Sequence, residues 1–198
     1  NEEGILYAVA KDITERKIFE DQLMRQAKFD YLTGLPNRGY LDDELERAMA
    51  RARRGQHVLA GFFIDLDDFR EVNARHGLEL GDDLLRQMAM RLRTLLRAND
   101  FVARIGGDEF FVLAELAQYA KTLHLAEKIA AVLQHPFLME DGQLQITASV
   151  GVMPYKPEQH PDGSSFISQC EKTMLASKQR QKQADTATGQ NPQPAPIS

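Results

Sequence analysis

Apolar residues recur along this chain with two periods, one typical of helices and one typical of strands. Helices are predicted over about 14–28, 38–54, 117–134 and 163–183, and from Gly81 onwards with Asp82 as the cap. Strands are predicted over about 4–13, 58–64, 101–105, 110–113 and 145–152. Helices that alternate with strands predict an α/β or α+β domain with a single central sheet.

The two ends of the chain differ from its middle. Residues 184–198 are rich in Gln, Pro, Thr and Ala, and we expect a disordered tail or a linker there. The chain opens without the basic-then-apolar order of a signal peptide, as expected for a cut inside a longer protein. No apolar run approaches the roughly 18 residues that a membrane helix needs, so no membrane segment is predicted.

The composition suits one globular domain, with 43% hydrophobic and 27% charged residues. The single cysteine, Cys170, cannot form an internal disulfide and is predicted to pack in the core, which fits a reducing, cytoplasmic compartment. The net charge of −5 argues against binding of a nucleic-acid polymer. The histidines lack metal-ligand spacing and are predicted at surface or turn positions: His57, His76, His124, His135 and His160.

Carboxylates follow the most apolar strand, and others lie at a predicted hairpin. In an extended chain Asp65 and Asp67 point to one side. Gly106 and Gly107 are expected to close a tight hairpin through positive φ angles, with Asp108 beside them. Taken separately, these acids could also end a strand, cap a helix or solubilise a turn.

The two acidic segments would meet if the hairpin paired with the 58–64 strand. Asp65 and Asp108 could then converge as hard oxygen ligands for Mg²⁺, which binds few carboxylates and leaves positions for phosphate oxygens. Phosphoryl transfer needs little more from a protein than metal, positioning and cations. The sequence contains no Walker A, protein-kinase or Gly-x-Gly-x-x-Gly pattern.

The chain resembles the GGDEF family of diguanylate cyclases over about residues 28–183. Gly106–Phe110 spells the family signature, and four other segments match in order and spacing: Asp30–Arg38, Phe63–Asn73, Gly77–Asp82 and Ala148–Val152. The resemblance implies an α+β, α/β-like sandwich with a central, mostly antiparallel sheet flanked by helices, similar to the nucleotidyl cyclase and polymerase palm. Its implied bounds are 29–183.

The resemblance also implies a reaction, in which two GTP molecules condense into cyclic di-GMP in a homodimer that holds one GTP per domain. Asp65, Asp108 and the Leu66 carbonyl would bind Mg²⁺, with Mn²⁺ as the alternative. Asp108 or Glu109 would help to deprotonate the attacking hydroxyl. The implied substrate contacts are Asn73 and Asp82 to guanine, room for the nucleotide at Gly106 and Gly107, and Arg70, Lys178 and Lys182 to phosphates.

Two further segments carry implied roles. Arg97 and Asp100 match the family's inhibitory site for cyclic di-GMP in residue type and in their offset from Gly106, which favours that role over the alternative of a local ion pair at a helix end. Residues 1–13 resemble the last strand of a PAS sensor domain, and 14–28 would be a linker helix that carries its signal. A further domain after Ser198 is also compatible with the sequence.

The chain departs from the family pattern at several positions. Ala74 replaces an aspartate, Arg70 a lysine and Lys182 an arginine, and the final helix differs from the family sequence. Leu78 stands in place of a histidine that contacts the nucleotide; it either packs or removes one substrate contact. Three functions remain open: an active cyclase, which the intact acidic residues favour, a regulator that binds GTP or cyclic di-GMP, and a dimerisation module alone.

Overall fold

The computed structural model describes residues 26–55, 57–140 and 142–188. The predicted PAS strand at 1–13, most of the 14–28 helix and the last part of the predicted tail lie outside these residues. The described part contains five longer helices, α1 (Arg38–Arg54), α2 (Phe69–His76), α3 (Leu78–Leu95), α4 (Ala120–Leu133) and α5 (Gly163–Thr188). Its strands are β1 (Val58–Leu66), β2 (Phe101–Gly106), β3 (Glu109–Leu116), β4 (Phe137–Met139), β5 (Gly142–Leu144) and β6 (Ala148–Pro154).

Four strands form one sheet in the order β2-β3-β1-β6, and every neighbouring pair is antiparallel. β4 and β5 form a separate hairpin. This arrangement confirms the predicted α+β fold with a central antiparallel sheet. It also confirms that the 101–113 hairpin pairs with the strand that precedes Asp65.

Helices cover both faces of the sheet, which explains the unbroken apolar run of β1. Neighbouring residues of a strand point to opposite faces. Phe62 accordingly belongs to a core shared with α2, α3 and α4, while Phe63 belongs to a core shared with α1 and α5. Each face thus buries its own hydrophobic cluster.

Helix α5 lies directly on the sheet. A Cβ atom added at Gly151 of β6 would stand 2.2 Å from the backbone nitrogen of Met174 and 2.5 Å from the carbonyl oxygen of Cys170. The Cys170 side chain is fully buried, and burial raises the pKa of its thiol. Its predicted role as a packing residue, not a nucleophile, is confirmed.

Several element boundaries differ from the prediction. Helix α3 begins at Leu78, so Asp82 lies inside the helix and does not cap it; Gly77, with φ 88°, makes the turn between α2 and α3. α2 and the β4–β5 hairpin were not predicted. β6 begins at Ala148, and α5 continues to Thr188, into the segment predicted as a tail.

His160 was predicted to be a surface or turn residue. Its backbone N–H closes a turn on the Lys156 carbonyl oxygen at 2.9 Å, but a surface position is wrong because its side chain is fully buried. Its ring stacks on Tyr155 and contacts Phe166. The backbone N–H of Lys156 donates to Nδ1 at 2.9 Å, and Nε2 lies 3.1 Å from the Gln169 side-chain oxygen. Both ring nitrogens therefore have partners, and these hydrogen bonds offset the free-energy cost of burying the imidazole.

Across the described residues, no helix combines the length and apolar character required to cross a bilayer.

Candidate functional site

The end of β1 and the β2–β3 hairpin bring three carboxylates to one edge of the sheet. Asp65 faces Glu109 of β3 on one side and Ser149 of β6 on the other. The backbone N–H of Leu66 points to the carbonyl oxygen of Asp108 at 3.4 Å. We call Asp65, Asp108 and Glu109 the acidic edge.

Burial, and after it mutual repulsion, disfavours negative charge on two of the carboxylates of the acidic edge. Burial raises the pKa of Asp108, and the charge of Asp65 raises it further. Burial also raises the pKa of Glu109, assisted by Asp65, Glu171 and Asp108. Positive charge placed among these groups would relieve the repulsion.

The hairpin turn differs in detail from the prediction. Neither Gly106 nor Gly107 has a positive φ, so the prediction of positive φ angles at the turn is wrong. The strand register instead shifts between Arg104 and Gly106. A Cβ at Gly106 would lie 2.7 Å from a Glu109 carboxylate oxygen, whereas no atom lies within 4 Å of one at Gly107. Gly106 therefore makes room for Glu109, and Gly107 leaves open space at the tip.

Two lysines of α5 reach the segment that follows β1. The Lys178 ammonium contacts the Asp65 carboxylate and lies 3.5 Å from an Asp67 carboxylate oxygen. One turn later, Lys182 lies 3.7 Å from Asp68. Burial alone would lower the pKa of Lys178, but the hydrogen bond and charge of Asp65 raise it above its ordinary value. Lys178 therefore remains positively charged beside the acidic edge.

The segment between β1 and α2 has a strained backbone. Asp68 has φ 56°, which is uncommon for a residue with a side chain. Its carbonyl accepts hydrogen bonds from the N–H groups of Glu71 and Val72, in the first turn of α2. Arg70, exposed on that turn, contributes positive charge that partly offsets the raised pKa of Asp108.

A second polar group lies between α2 and α3. The side-chain oxygen of Asn73 is buried and lacks a hydrogen-bond partner among the described residues. A Cβ on Gly81 would stand 1.8 Å from this oxygen, so the glycine provides its space. Asp82 follows on the same turn of α3, half-buried. Leu78 is 74% exposed, so the packing interpretation of this departure is wrong.

Arg97 and Asp100 lie at an open cavity of about 350 Å³ on another part of the surface, lined also by Phe29, Arg93 and Phe101. The Asp100 carboxylate accepts a hydrogen bond from the backbone N–H of Arg97 at 3.0 Å. The local contact is thus a hydrogen bond from the backbone of Arg97 and not an ion pair of its guanidinium.

Sequence reasoning missed the residues that hold the hairpin and the strand end. Arg104 joins Asp30 to the Gly107 carbonyl oxygen through three of its nitrogens. Asp67 accepts hydrogen bonds from Thr147 and Ser149. The alternation of Asp65 and Asp67 was a signal for the second of these, but nothing in the sequence indicated the partners of Arg104.

The acidic edge fits a magnesium ion that is shared with a ligand. Within the described ranges, no three His, Cys, Asp or Glu side chains are grouped as a metal cage. Asp65 and Asp108 offer a smaller set of hard carboxylate oxygens, which is typical of Mg²⁺ bound together with phosphates. The Lys178 ammonium on Asp65 shows that this edge already accommodates a cation.

The fold and the acidic edge define a palm-like α+β domain. The family model "Diguanylate cyclase, GGDEF domain" matches residues 27–184, and the chain belongs to the GGDEF family. The chain is 42% identical over 134 residues to the bifunctional diguanylate cyclase/cyclic di-GMP phosphodiesterase MucR of Pseudomonas aeruginosa, covering 68% of the chain and 20% of MucR. It is 40% identical over 160 residues to the diguanylate cyclase TpbB of the same species, covering 80% of the chain and 37% of TpbB. The chain thus spans well under half of either relative.

Solved structures agree with the family assignment. The coiled coil and GGDEF domain of DgcB from Caulobacter crescentus, in complex with c-di-GMP, superposes with a TM-score of 0.80 at 26% identity. The match covers 89% of this chain and 94% of the DgcB chain. The observed sheet and helices are therefore the GGDEF fold.

Proposed function

We propose that this domain is a diguanylate cyclase, which condenses two GTP molecules into cyclic di-GMP and releases pyrophosphate. The observation that carries the proposal is the convergence of Asp65 with Asp108 and Glu109 at one open edge, beside the Lys178 ammonium. Relatives that are named diguanylate cyclases support it. Phosphoryl transfer requires this combination of acidic and cationic groups.

Asp65, Asp108 and the Leu66 carbonyl would hold Mg²⁺, or Mn²⁺, which would neutralise charge on the phosphates. Lys178, Lys182 and Arg70 would contact phosphate oxygens. All three side chains belong to segments that border the acidic edge. Gly107 would leave space for the nucleotide, since no atom lies within 4 Å of a Cβ placed there.

Each 3′-oxygen would form a bond to the α-phosphorus of the other nucleotide. The bond from that phosphorus to the oxygen bridging the α and β positions breaks, and pyrophosphate leaves with its electron pair. The hydroxyl proton would pass to Glu109 or Asp108. Burial raises the pKa of Glu109, which makes this carboxylate a stronger base than an ordinary one, whereas a metal ion bound to Asp108 would lower the basicity of that carboxylate. Because each domain would hold one GTP, turnover would need a homodimer.

Guanine recognition is proposed for Asn73 and Asp82. The unpaired, buried oxygen of Asn73 is available to a base donor, which would remove the cost of leaving that oxygen unsatisfied. Arg97 and Asp100 would bind cyclic di-GMP as an inhibitor at their cavity. A planar guanidinium fork suits guanine or phosphate.

A regulatory module that binds GTP or cyclic di-GMP without turnover is the second candidate. The exposure of Leu78 favours it, because this side chain offers no hydrogen bond to a nucleotide at the start of α3. An upstream PAS sensor would suit either function; the residues that suggest it lie outside the described part of the chain.

The test is a GTP turnover assay on the 198-residue chain at high protein concentration, with Mg²⁺ and with Mn²⁺, and with chromatographic separation of products. Cyclic di-GMP is expected from the wild type and from the control Asp43→Ala, which removes an exposed carboxylate of α1 that is not part of the acidic edge. None is expected from Asp108→Ala. Nucleotide binding without product, in either metal, would reject the cyclase and favour the regulator.

A further inference from the structure

Asp67, next to the acidic edge, is held in place by three hydrogen bonds. Its two carboxylate oxygens accept hydrogen bonds from Thr147 Oγ1 and Ser149 Oγ, both at 2.7 Å. Its backbone N–H also donates to the Thr147 carbonyl oxygen at 2.9 Å. The side chain is only 12% exposed. Asp67 is therefore a fixed negative charge, held by Ser149 of β6 and by Thr147 immediately before that strand.

Lys178 is shared between this fixed charge and the acidic edge. Its ammonium contacts Asp65 and lies 3.5 Å from Asp67. The backbone of α5 has little freedom to move, because it packs directly on Gly151 of β6. The Lys178 ammonium can therefore change partners only by rotation about the bonds of its own side chain, which has a flexible four-carbon stem.

We propose that Asp67 is a positioning residue that holds Lys178 when a divalent cation takes Asp65. The inference rests on the proposed function to the extent that Asp65 is a ligand of the catalytic metal. The contact between Lys178 and Asp65 is then the resting state of the site. Asp67, fixed by Thr147 and Ser149, is the second partner that lets the lysine leave Asp65 and remain beside the phosphates.

The physical reason is competition for one carboxylate. An ammonium and a divalent cation repel each other when both contact Asp65, and the repulsion is strong in a partly buried site. With Asp67 present, the ammonium can shift toward a carboxylate whose position is already fixed. Without the charge of Asp67, Lys178 keeps its ion pair with Asp65 alone. A metal that binds Asp65 must then break this ion pair, and the ammonium has no second carboxylate to move to among its ion-pair partners in the described residues.

The experiment measures Mn²⁺ binding to the 198-residue chain without nucleotide, by electron paramagnetic resonance. Lys178→Met is expected to tighten Mn²⁺ binding by roughly tenfold, since it removes the competing ammonium. Asp67→Asn is expected to weaken it by roughly tenfold in the wild-type background. In the Lys178→Met background, Asp67→Asn should cost only about twofold, the effect of its own charge through space.

Two further variants separate positioning from folding. Thr147→Val keeps the charge of Asp67 but frees one of its oxygens, and it should weaken Mn²⁺ binding by less than Asp67→Asn does. Lys172→Met removes an exposed cation from the same helix and should leave Mn²⁺ binding unchanged. Thermal unfolding of each variant, followed by circular dichroism, shows whether the domain is intact at the temperature of the measurement.

Equal losses from Asp67→Asn in both backgrounds would overturn the proposal, because Asp67 would then act without Lys178. Failure of Lys178→Met to tighten Mn²⁺ binding, or to reveal it where the wild type shows none, would overturn it as well. Absence of GTP turnover together with the expected pattern of Mn²⁺ binding would count against the cyclase function alone. The two failures are therefore distinguishable.

Discussion

The guanidinium of Arg104 contacts both carboxylate oxygens of Asp30, at 2.9 and 3.2 Å. The same side chain donates to the carbonyl oxygen of Gly107 at 2.7 and 3.0 Å, so it fixes the tip of the β2–β3 hairpin. Both side chains are largely buried, with 12% and 15% exposed. The loop that precedes α1 thereby supports the hairpin that carries Asp108 and Glu109.

Arg104→Ala should lower the free energy of unfolding by about 2 kcal/mol at neutral pH, because Asp30 would be left without its charged partner. Burial alone would raise the pKa of Asp30, but hydrogen bonds from Thr33 and Arg104 hold it below its ordinary 3.8. A lowered carboxyl pKa adds stability above the unfolded-state value, and this stability is lost as the pH falls below about 4.

The deficit of Arg104→Ala should therefore shrink in urea titrations carried out below pH 4. Arg38→Ala is the control, since its partner Asp42 is exposed and such pairs contribute only a few tenths of a kcal/mol. Equal losses in the two variants, or a deficit that does not change with pH, would show that the ion pair is not the source of the stability.

Asp108→Asn should stabilise the domain while it abolishes turnover. The pKa of Asp108 is raised by burial and by Asp65, so the charged form is disfavoured in the folded state. For a raised carboxyl pKa, this cost is fully present above the folded-state value and disappears as the pH falls below it. Removal of the charge should raise the melting temperature by about 1–3 °C at pH 7.

Differential scanning calorimetry of Asp108→Asn beside Asp43→Asn tests this expectation, with no change expected for the exposed Asp43. The stabilisation should also diminish toward pH 4, where the wild-type carboxyl becomes neutral. A lower melting temperature for Asp108→Asn at pH 7 would mean that the carboxylate is stabilising where it stands.

Gly81→Ala should impair guanine binding with little change in stability. The added Cβ would meet the Asn73 oxygen at 1.8 Å, and this side chain must turn away. Alanine within a helix gains up to about 1 kcal/mol over glycine, which offsets the strain. We expect affinity for a non-hydrolysable GTP analogue, measured by calorimetry, to fall roughly three- to tenfold.

Gly39→Ala provides the comparison, because Gly39 is an exposed glycine of α1 whose added Cβ would have its nearest neighbour at 3.5 Å. It should leave nucleotide affinity unchanged. Full affinity in Gly81→Ala would remove Asn73 from the proposed guanine contacts.

His160→Ala should destabilise the domain by about 2–4 kcal/mol, since it opens a cavity beside Phe166 and leaves the Lys156 N–H without its acceptor. Urea unfolding measures the loss. His135→Ala, at an exposed position, should cost less than about 0.5 kcal/mol. A small loss for His160→Ala would indicate that the surrounding side chains close over the space.

The sequence was most informative where local chemistry sets the structure. Helix α1 begins and ends as predicted, because Asn37 accepts a hydrogen bond from the Tyr40 N–H and Gly55 follows the last turn. The strand before Asp65 was equally clear, since an unbroken apolar run must be covered on both faces. The convergence of Asp65 with the hairpin followed from one assumed strand pairing, which the structure confirms.

Features that depend on distant partners were not predictable. His160 has a polar side chain, and only the surrounding Tyr155, Phe166 and Gln169 make its burial possible. The three-residue strands β4 and β5 are too short for a period to be visible. Asp82 resembled a cap, but the turn at Gly77 had already started α3 four residues earlier.

The bond between Lys178 and Asp65 spans 113 positions of the chain. During synthesis, Asp65 and Asp108 leave the ribosome long before the helix that carries Lys178. Contacts between such distant positions form only after much of the intervening chain has been ordered. A nascent or truncated domain would therefore expose its acidic residues without the Lys178 ammonium, so that the proposed nucleotide chemistry would be withheld until folding is essentially complete.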